Sequence, residues 1–285
     1  MTVLEIIQRS TEFLQEKGVD SPRLQIELML TQVLKLPRLK LYLNFERTLS
    51  EAELAQLREM VKRRAGREPL QHILGSTSFC GLEIKCSRAA LIPRPETELL
   101  AERAWQFLST LNAQPSTVLD LGTGTGCIAI AVAVHTPNAR VHAVDLSDDA
   151  LTLAKENAAK HNVATRIEFV QGDMFAALHP GTRFDLIASN PPYIALDEVK
   201  SLQPEVRDFD PMLALDGGAD GLEFHRRIAR EAPAFLKTGG KLMLEFADGQ
   251  AEKVKKVFFA ENWVVDEIVA DYSARERILI ARHGE

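Results

Sequence analysis

Three groups of residues have types and spacings that suit chemistry. Asn190-Pro191-Pro192-Tyr193 joins a primary amide, two residues with fixed φ and no N–H, and a flat aromatic ring. The Asn190 side-chain oxygen and the Pro191 carbonyl are two acceptors, one for each N–H of a planar –NH2 group. Pro191 and Pro192 keep the loop extended with its carbonyls available, and the Tyr193 ring can stack on a planar amide or base. The second group is Gly122-Thr123-Gly124-Thr125-Gly126, directly after Asp120-Leu121. Alternate glycines let a backbone turn sharply and approach a ligand closely, and a helix starting there presents unpaired N–H groups. The third is Asp145, 19 residues beyond Gly126, a carboxylate that can accept both hydroxyls of a ribose. Together, the last two groups point to a nucleoside-containing cofactor. The glycine spacing is not the G-x-G-x-x-G of the dinucleotide fingerprint, which disfavours a nicotinamide oxidoreductase.

These residues need a scaffold, and the pattern from Thr117 onward supplies one. Strands are expected at Thr117–Leu121, Arg140–Asp145, Ile167–Gln171, Phe184–Ser189, Lys241–Phe246, Val264–Val269 and Arg277–Ala281. Helical segments fall between most of them, notably Cys127–Val134, Asp148–Lys160, Leu222–Leu236 and Gln250–Phe259. Apolar strands separated by helices imply crossovers and a mostly parallel sheet covered on both faces. The short loop Asp271–Glu276 suits an antiparallel final pair. Ligands of such sheets bind beyond the carboxyl ends of the strands, where the glycine turn, Asp145 and Asn190 all fall. Upstream, residues 1–70 read as helices only, with capping boxes at Thr2/Glu5 and Ser50/Glu53 and a proline start at Pro22. Residues 71–95 suggest a hairpin or linker, and residues 96–285 the catalytic domain.

Composition bounds the partners. The chain has 285 residues, 46% hydrophobic and 26% charged, an ordinary folded composition. Net charge is −6; residues 1–75 carry 12 Lys and Arg against 10 Asp and Glu, leaving −8 on the rest. That balance argues against stable nucleic-acid binding, which wants a basic face. No apolar run approaches the ~20 residues that span a bilayer, and the N-terminus lacks the pattern of a signal peptide. Three cysteines without a CxxC, and seven scattered histidines, argue against a disulfide framework or metal site and for a cytoplasmic protein. A monomer is expected.

The tight glycine turn after an Asp-bearing strand resembles class I S-adenosylmethionine-dependent methyltransferases, which have a Rossmann-like, seven-stranded α/β sheet. The resemblance implies that Gly122, Thr123, Gly124, Thr125 and Gly126 carry the methionine end of S-adenosyl-L-methionine and that Asp145 holds the ribose. It implies that Asp173, in Gly172-Asp173-Met174-Phe175, accepts from the adenine amine while Met174 or Phe175 packs on the ring. Asn-Pro-Pro-Tyr marks amino-methyltransferases. Asn190 would then serve both cofactor and acceptor, with Asn190, Pro191 and Tyr193 catalytic and Pro192 beside them in the substrate site. The tetrapeptide does not distinguish adenine N6 of DNA or RNA from a glutamine amide.

The remaining motifs separate these. The chain resembles the HemK/PrmC-type protein-(glutamine-N5) methyltransferases through Arg67–Gly75, Ile92–Glu98, the glycine turn, Asn190–Ile194, Ala214–Gly218 with Asp220–Leu222, and Asp271-Tyr272 with Arg275–Arg277. The resemblance implies methylation of the glutamine in the Gly-Gly-Gln loop of class I peptide-chain release factors, docked by the helical domain of residues 1–70. An N6-adenine methyltransferase is the alternative. Arg94 and Glu96 are read two ways, as a closure over cofactor or substrate or as a linker salt bridge. Relatives often carry Glu-Ile-Gly where this chain has Glu245-Phe246-Ala247, so Glu245 is assigned no role.

Overall fold

The structure, a computed structural model, describes residues 1–111 and 115–284; Glu285, at the end of the expected catalytic domain, lies outside them. The chain divides into two compact units. One comprises Met1–Ser76 with Gln203–Phe209, the other Thr77–Leu202 with Asp210–Glu285.

The first unit is helical: α1 (Val3–Glu16), α2 (Pro22–Leu34), α3 (Arg38–Leu41), α4 (Glu51–Ala65) and α5 (Leu70–Leu74). Both capping boxes form. The side chains of Thr2 and Ser50 each accept from the backbone of the glutamate three residues on, which reaches back to the cap. Val3, Ile7, Leu14, Ile26, Met29 and Leu30 share one core. Gln203–Phe209 belongs here through Glu205, whose carboxylate meets Arg64 at 2.6 Å and Arg67 at 2.6 Å. Burial alone would raise the Glu205 carboxyl, but the two guanidinium groups hold it below the usual carboxylate range.

The second unit takes up the chain within β1 (Ser76–Phe79), which pairs with β2 (Leu82–Lys85) as a two-stranded hairpin and is followed by α6 (Pro95–Ser109). Then come β3 (Thr117–Leu121), α7 (Cys127–His135), β4 (Arg140–Asp145), α8 (Asp148–Lys160), β5 (Ile167–Gln171) and β6 (Phe184–Ser189). After α9 (Pro204–Arg207), which lies in the helical unit, follow α10 (Glu223–Glu231), β7 (Leu236–Glu245), α11 (Ala251–Ala260), β8 (Trp263–Ala270) and β9 (Glu276–His283). The sheet order is β5-β4-β3-β6-β7-β9-β8, parallel except for β9, which is antiparallel to both β7 and β8. Side chains alternate across it. Val118, Leu186 and Ala188 face a core built with α6 and α7; Leu119, Leu121, Phe184 and Ile187 face one built with α10 and α11. The α/β class and the antiparallel last pair match the sequence. The expected helix over 222–236 is shorter: α10 ends at Glu231 and a 3₁₀ turn, Ala232–Phe235, carries Pro233 into the sheet. Proline lacks the N–H that would continue an α-helix.

The order places the topological switch at β3. The chain moves outward to β4 and β5, then returns to the other side as β6, and a crevice opens at the strands' carboxyl ends.

Candidate active site

Register assembles the site. Leu121 pairs with Val144 of β4 and with Ser189 of β6; Asp145 pairs with Gln171, and Ser189 with Leu244. The next residues on β3 and β6 are Gly122 and Asn190, and Asp145 and Glu245 follow Val144 and Leu244, so register sets Gly122, Asp145, Asn190 and Glu245 side by side at the strands' carboxyl ends. The Ser189 hydroxyl donates to the Leu121 carbonyl at 2.6 Å and ties the two central strand ends together.

The glycine turn is held from below. Asp120, 1% exposed, accepts from the Thr123 hydroxyl at 2.6 Å and from the Ala129 N–H at 3.0 Å. Burial pushes its carboxyl up to about 6, against the pull of those two donors. Gly122, Gly124 and Gly126 all have positive φ, which a side chain rarely adopts. A Cβ at Gly122 would meet no atom within 4 Å, whereas one at Gly126 would meet the Ala154 Cβ at 3.0 Å. The first two glycines therefore open onto a cavity, and the third lets α7 pack closely on α8.

That cavity has an open volume of about 1180 Å³, mouth included. Its wall includes Gly122, Thr123, Gly124, Thr125, Asp145, Asp173, Met174, Asn190, Pro191 and Pro192. Asp145 accepts from the Gly124 N–H at 2.8 Å and from the Ser147 N–H at 2.9 Å. Each bond uses one lone pair per oxygen, so its carboxylate can still take two hydroxyls. Next to it the exposed Leu146 adds an apolar wall. An open backbone turn, a carboxylate with acceptor capacity and apolar walls at Leu146 and Met174 fit a nucleoside with a polar tail.

Not every expected residue reaches the cavity. Phe175 is 3% exposed and stacks on Phe235 at 5.1 Å between ring centroids, in the core rather than against a ligand. Met174, its neighbour in the same 3₁₀ turn and the same core, also reaches the cavity wall. Gly126 is a packing glycine outside the wall, and Tyr193 also lies outside it, its hydroxyl donating to Glu245 at 3.2 Å. Asp173 reaches the wall, but Arg227 holds its two oxygens at 3.0 and 3.1 Å.

Around Asn190 lie residues to which the sequence alone assigns no part in the site. Glu245, 1% exposed, accepts from the Thr97 hydroxyl at 2.7 Å as well as from Tyr193. The Asn190 Nδ2 donates to the same Thr97 oxygen at 3.0 Å. Burial pushes Glu245 up to about 7, opposed by the Thr97 and Tyr193 bonds and by Arg277, and reinforced by Glu96. The available signal was positional: Glu245 ends the strand beside the one that ends at Asn190. Arg94 satisfies parts of both readings, since it pairs with the buried Asp210 at 2.7 Å and also lines the cavity. The Ala214–Leu222 motif has a mechanical reason. A Cβ at Gly217 would sit 2.8 Å from the Tyr193 Cα, and Ile194 exchanges backbone bonds with Leu215 and Gly217 at 3.1 and 2.8 Å.

Cys80, Cys86 and Cys127 form no disulfide. Among the described residues no helix is long and apolar enough to cross a membrane, and no cluster of His, Cys, Asp and Glu could hold a metal ion.

Comparison with known proteins gives the family. Residues 5–75 match the family profile of the PrmC N-terminal domain and residues 103–204 that of the methyltransferase small domain. The release factor glutamine methyltransferase of Geobacter sulfurreducens is 42% identical over 283 residues, 99% of this chain and 97% of that protein. Its namesake from Chlorobaculum tepidum is 41% identical over 97% of this chain and 95% of its own. Among solved structures, a methyltransferase from Pyrococcus furiosus superposes with a TM-score of 0.51 at 18% identity, covering 81% of this chain and 98% of its own, a likeness of fold.

Proposed function

This chain belongs to the release factor glutamine methyltransferase family, and we propose that it methylates N5 of the glutamine in the Gly-Gly-Gln loop of class I peptide-chain release factors. The methyl donor is S-adenosyl-L-methionine, which when bound supplies an electrophilic methyl group. The observation that carries the reading is the register of β3 and β6, which sets the Gly122 turn beside Asn190. Asp145 accepts from the ribose hydroxyls, Gly122–Thr125 cradle the amino-acid end, and Met174 with Leu146 flanks the adenine. Asp173, anchored by Arg227, retains lone pairs for the exocyclic amine.

The remaining work falls to the Asn190 loop. An amide nitrogen is a poor nucleophile because its lone pair is delocalised. Asn190 Oδ1 and the Pro191 carbonyl each accept one N–H, which fixes the nitrogen in line and favours the positive charge that develops on it. Each such bond contributes roughly 1.5–3 kcal/mol as the nitrogen becomes cationic. Tyr193, tethered at its hydroxyl to Glu245 and outside the wall of the cavity, is the ring we assign to stack on the amide once the substrate loop is bound. No general base is needed before attack, since the cationic nitrogen that results gives one proton to solvent water afterwards.

A single side chain gives little docking energy, so the intact release factor is the substrate, met in the cytoplasm by a monomeric enzyme whose helical unit docks it. The test offers labelled methyl donor with purified release factor, duplex DNA or RNA. Transfer confined to the release factor is expected. Transfer to nucleic acid that falls steeply with salt would assign the chain to adenine N6 instead.

A further inference from the structure

The Asn190 amide has two ends of similar shape and opposite hydrogen-bonding character, and only one of them serves an N–H acceptor role. Something must decide which end faces the substrate. The Thr97 hydroxyl has one proton. Glu245, a carboxylate when ionised, can only accept, so at 2.7 Å that proton is committed to it. The Thr97 oxygen is then left as an acceptor, and the group facing it at 3.0 Å is Asn190 Nδ2. Among the described residues no donor engages Asn190 Oδ1. The second Glu245 oxygen takes the Tyr193 hydroxyl at 3.2 Å.

We propose that Thr97 and Glu245 are positioning residues: the Glu245 carboxylate polarises a relay through the Thr97 hydroxyl that turns Asn190 Oδ1 toward the methyl-accepting amide, and it holds the Tyr193 ring at the same time. This rests on the reading of Asn190 given above and adds its orienting partners. Relay and ring share one buried carboxylate, so both acceptor direction and stacking surface depend on its charge. When Glu245 takes up a proton it can donate to Thr97. The Thr97 proton is then released toward Asn190, and the amide turned the other way satisfies it equally well. Turnover therefore falls on acidification.

The charges around Glu245 are accounted for. Glu96 at the start of α6 disfavours its ionisation and Arg277 of β9 favours it. Tyr193 stays protonated through burial and the Glu245 charge. His225 of α10 meets the Glu245 carbonyl at 3.2 Å, and burial lowers it to about 4, so it is neutral where Glu245 titrates. Burial pushes Glu245 up to about 7, which sets the window of the acid limb.

The experiment measures kcat and KM for release factor between pH 5.5 and 8.5 in wild type, Thr97→Val, Thr97→Ser, Glu245→Gln and Asn190→Ala. S-adenosylhomocysteine affinity is measured by calorimetry, and the Glu245 carboxyl is followed by carbon NMR without any ligand. Thr97→Val should lower kcat about tenfold, the upper end for one neutral hydrogen bond, with KM and S-adenosylhomocysteine affinity within threefold of wild type. Thr97→Ser should restore most of kcat. The acid limb should coincide with the NMR titration and be absent from Glu245→Gln. Wild-type kcat in Thr97→Val, or a matching loss of S-adenosylhomocysteine affinity, would overturn the relay while leaving the role of Asn190 standing. Full turnover in Asn190→Ala would overturn both.

Discussion

Asn190 sits where two demands meet, at the end of a strand buried along its length and at the rim of the cavity. Its contribution is directional, so its removal should separate binding from turnover. Asn190→Ala is expected to bind S-adenosylhomocysteine as wild type does and to lose at least ~100-fold in kcat, the scale of one preorganised partner to developing charge. Calorimetry and initial rates check it, and near-wild-type turnover would remove Asn190 from the chemistry. The residue types at this site were legible because each has an unusual property for its place: an amide before two prolines, glycines at alternate positions, an acid at a strand end. Glu245 is not, because its Glu-Phe-Ala departs from the Glu-Ile-Gly of relatives and nothing local shows which side chains it meets. Only the fold reveals that it is buried against Thr97 of α6 and Tyr193 of the loop after β6. Phe175 misled for the converse reason, since an aromatic beside Met174 reads the same whether it faces a ring or the core.

The elements were read well wherever a local device fixes them. Capping boxes start α1 and α4, and the four strands β3 to β6 begin and end where the apolar runs do. What local pattern does not contain is register. The pairing of Leu121 with Ser189 and of Ser189 with Leu244 is a property of the whole sheet, and it alone makes neighbours of Gly122, Asn190 and Glu245. The same holds for the loop after α9. Gly217 lies where a Cβ would press on the Tyr193 backbone at 2.8 Å, so the Asn190 loop is clamped from behind by chain some 25 residues later. Gly217→Ala should therefore act as a catalytic lesion at a distance. A drop in kcat of about tenfold or more is expected from sub-ångström displacement of the loop, with a loss of ~1–3 kcal/mol in a urea melt from overpacking. Unchanged rates in a destabilised protein would separate the clamp from the chemistry.

At the scale of the molecule, the chain leaves the catalytic unit after Leu202, contributes Gln203–Phe209 to the helical unit, and returns at Asp210. Nothing in the composition announces that excursion; Glu205 is one acidic residue among many until Arg64 and Arg67 are seen around it. If the helical unit docks the release factor, removing residues 1–70 should raise KM for that substrate and leave S-adenosylhomocysteine affinity as it was. Glu205→Gln in the full chain is the control, because truncation also strips Glu205 of both arginines. Equal KM in truncated and full-length enzyme would reduce the unit to a cap.

The central claim is that a glutamine side-chain nitrogen receives the methyl group. The direct measurement is fragmentation mass spectrometry of a class I release factor after incubation with the enzyme and S-adenosyl-L-methionine, beside a loop variant with Gln→Ala. One methyl on the side-chain amide of the Gly-Gly-Gln glutamine, and none on the variant, is the predicted result. Methylation at any other residue, or of the variant and the intact factor alike, would contradict it.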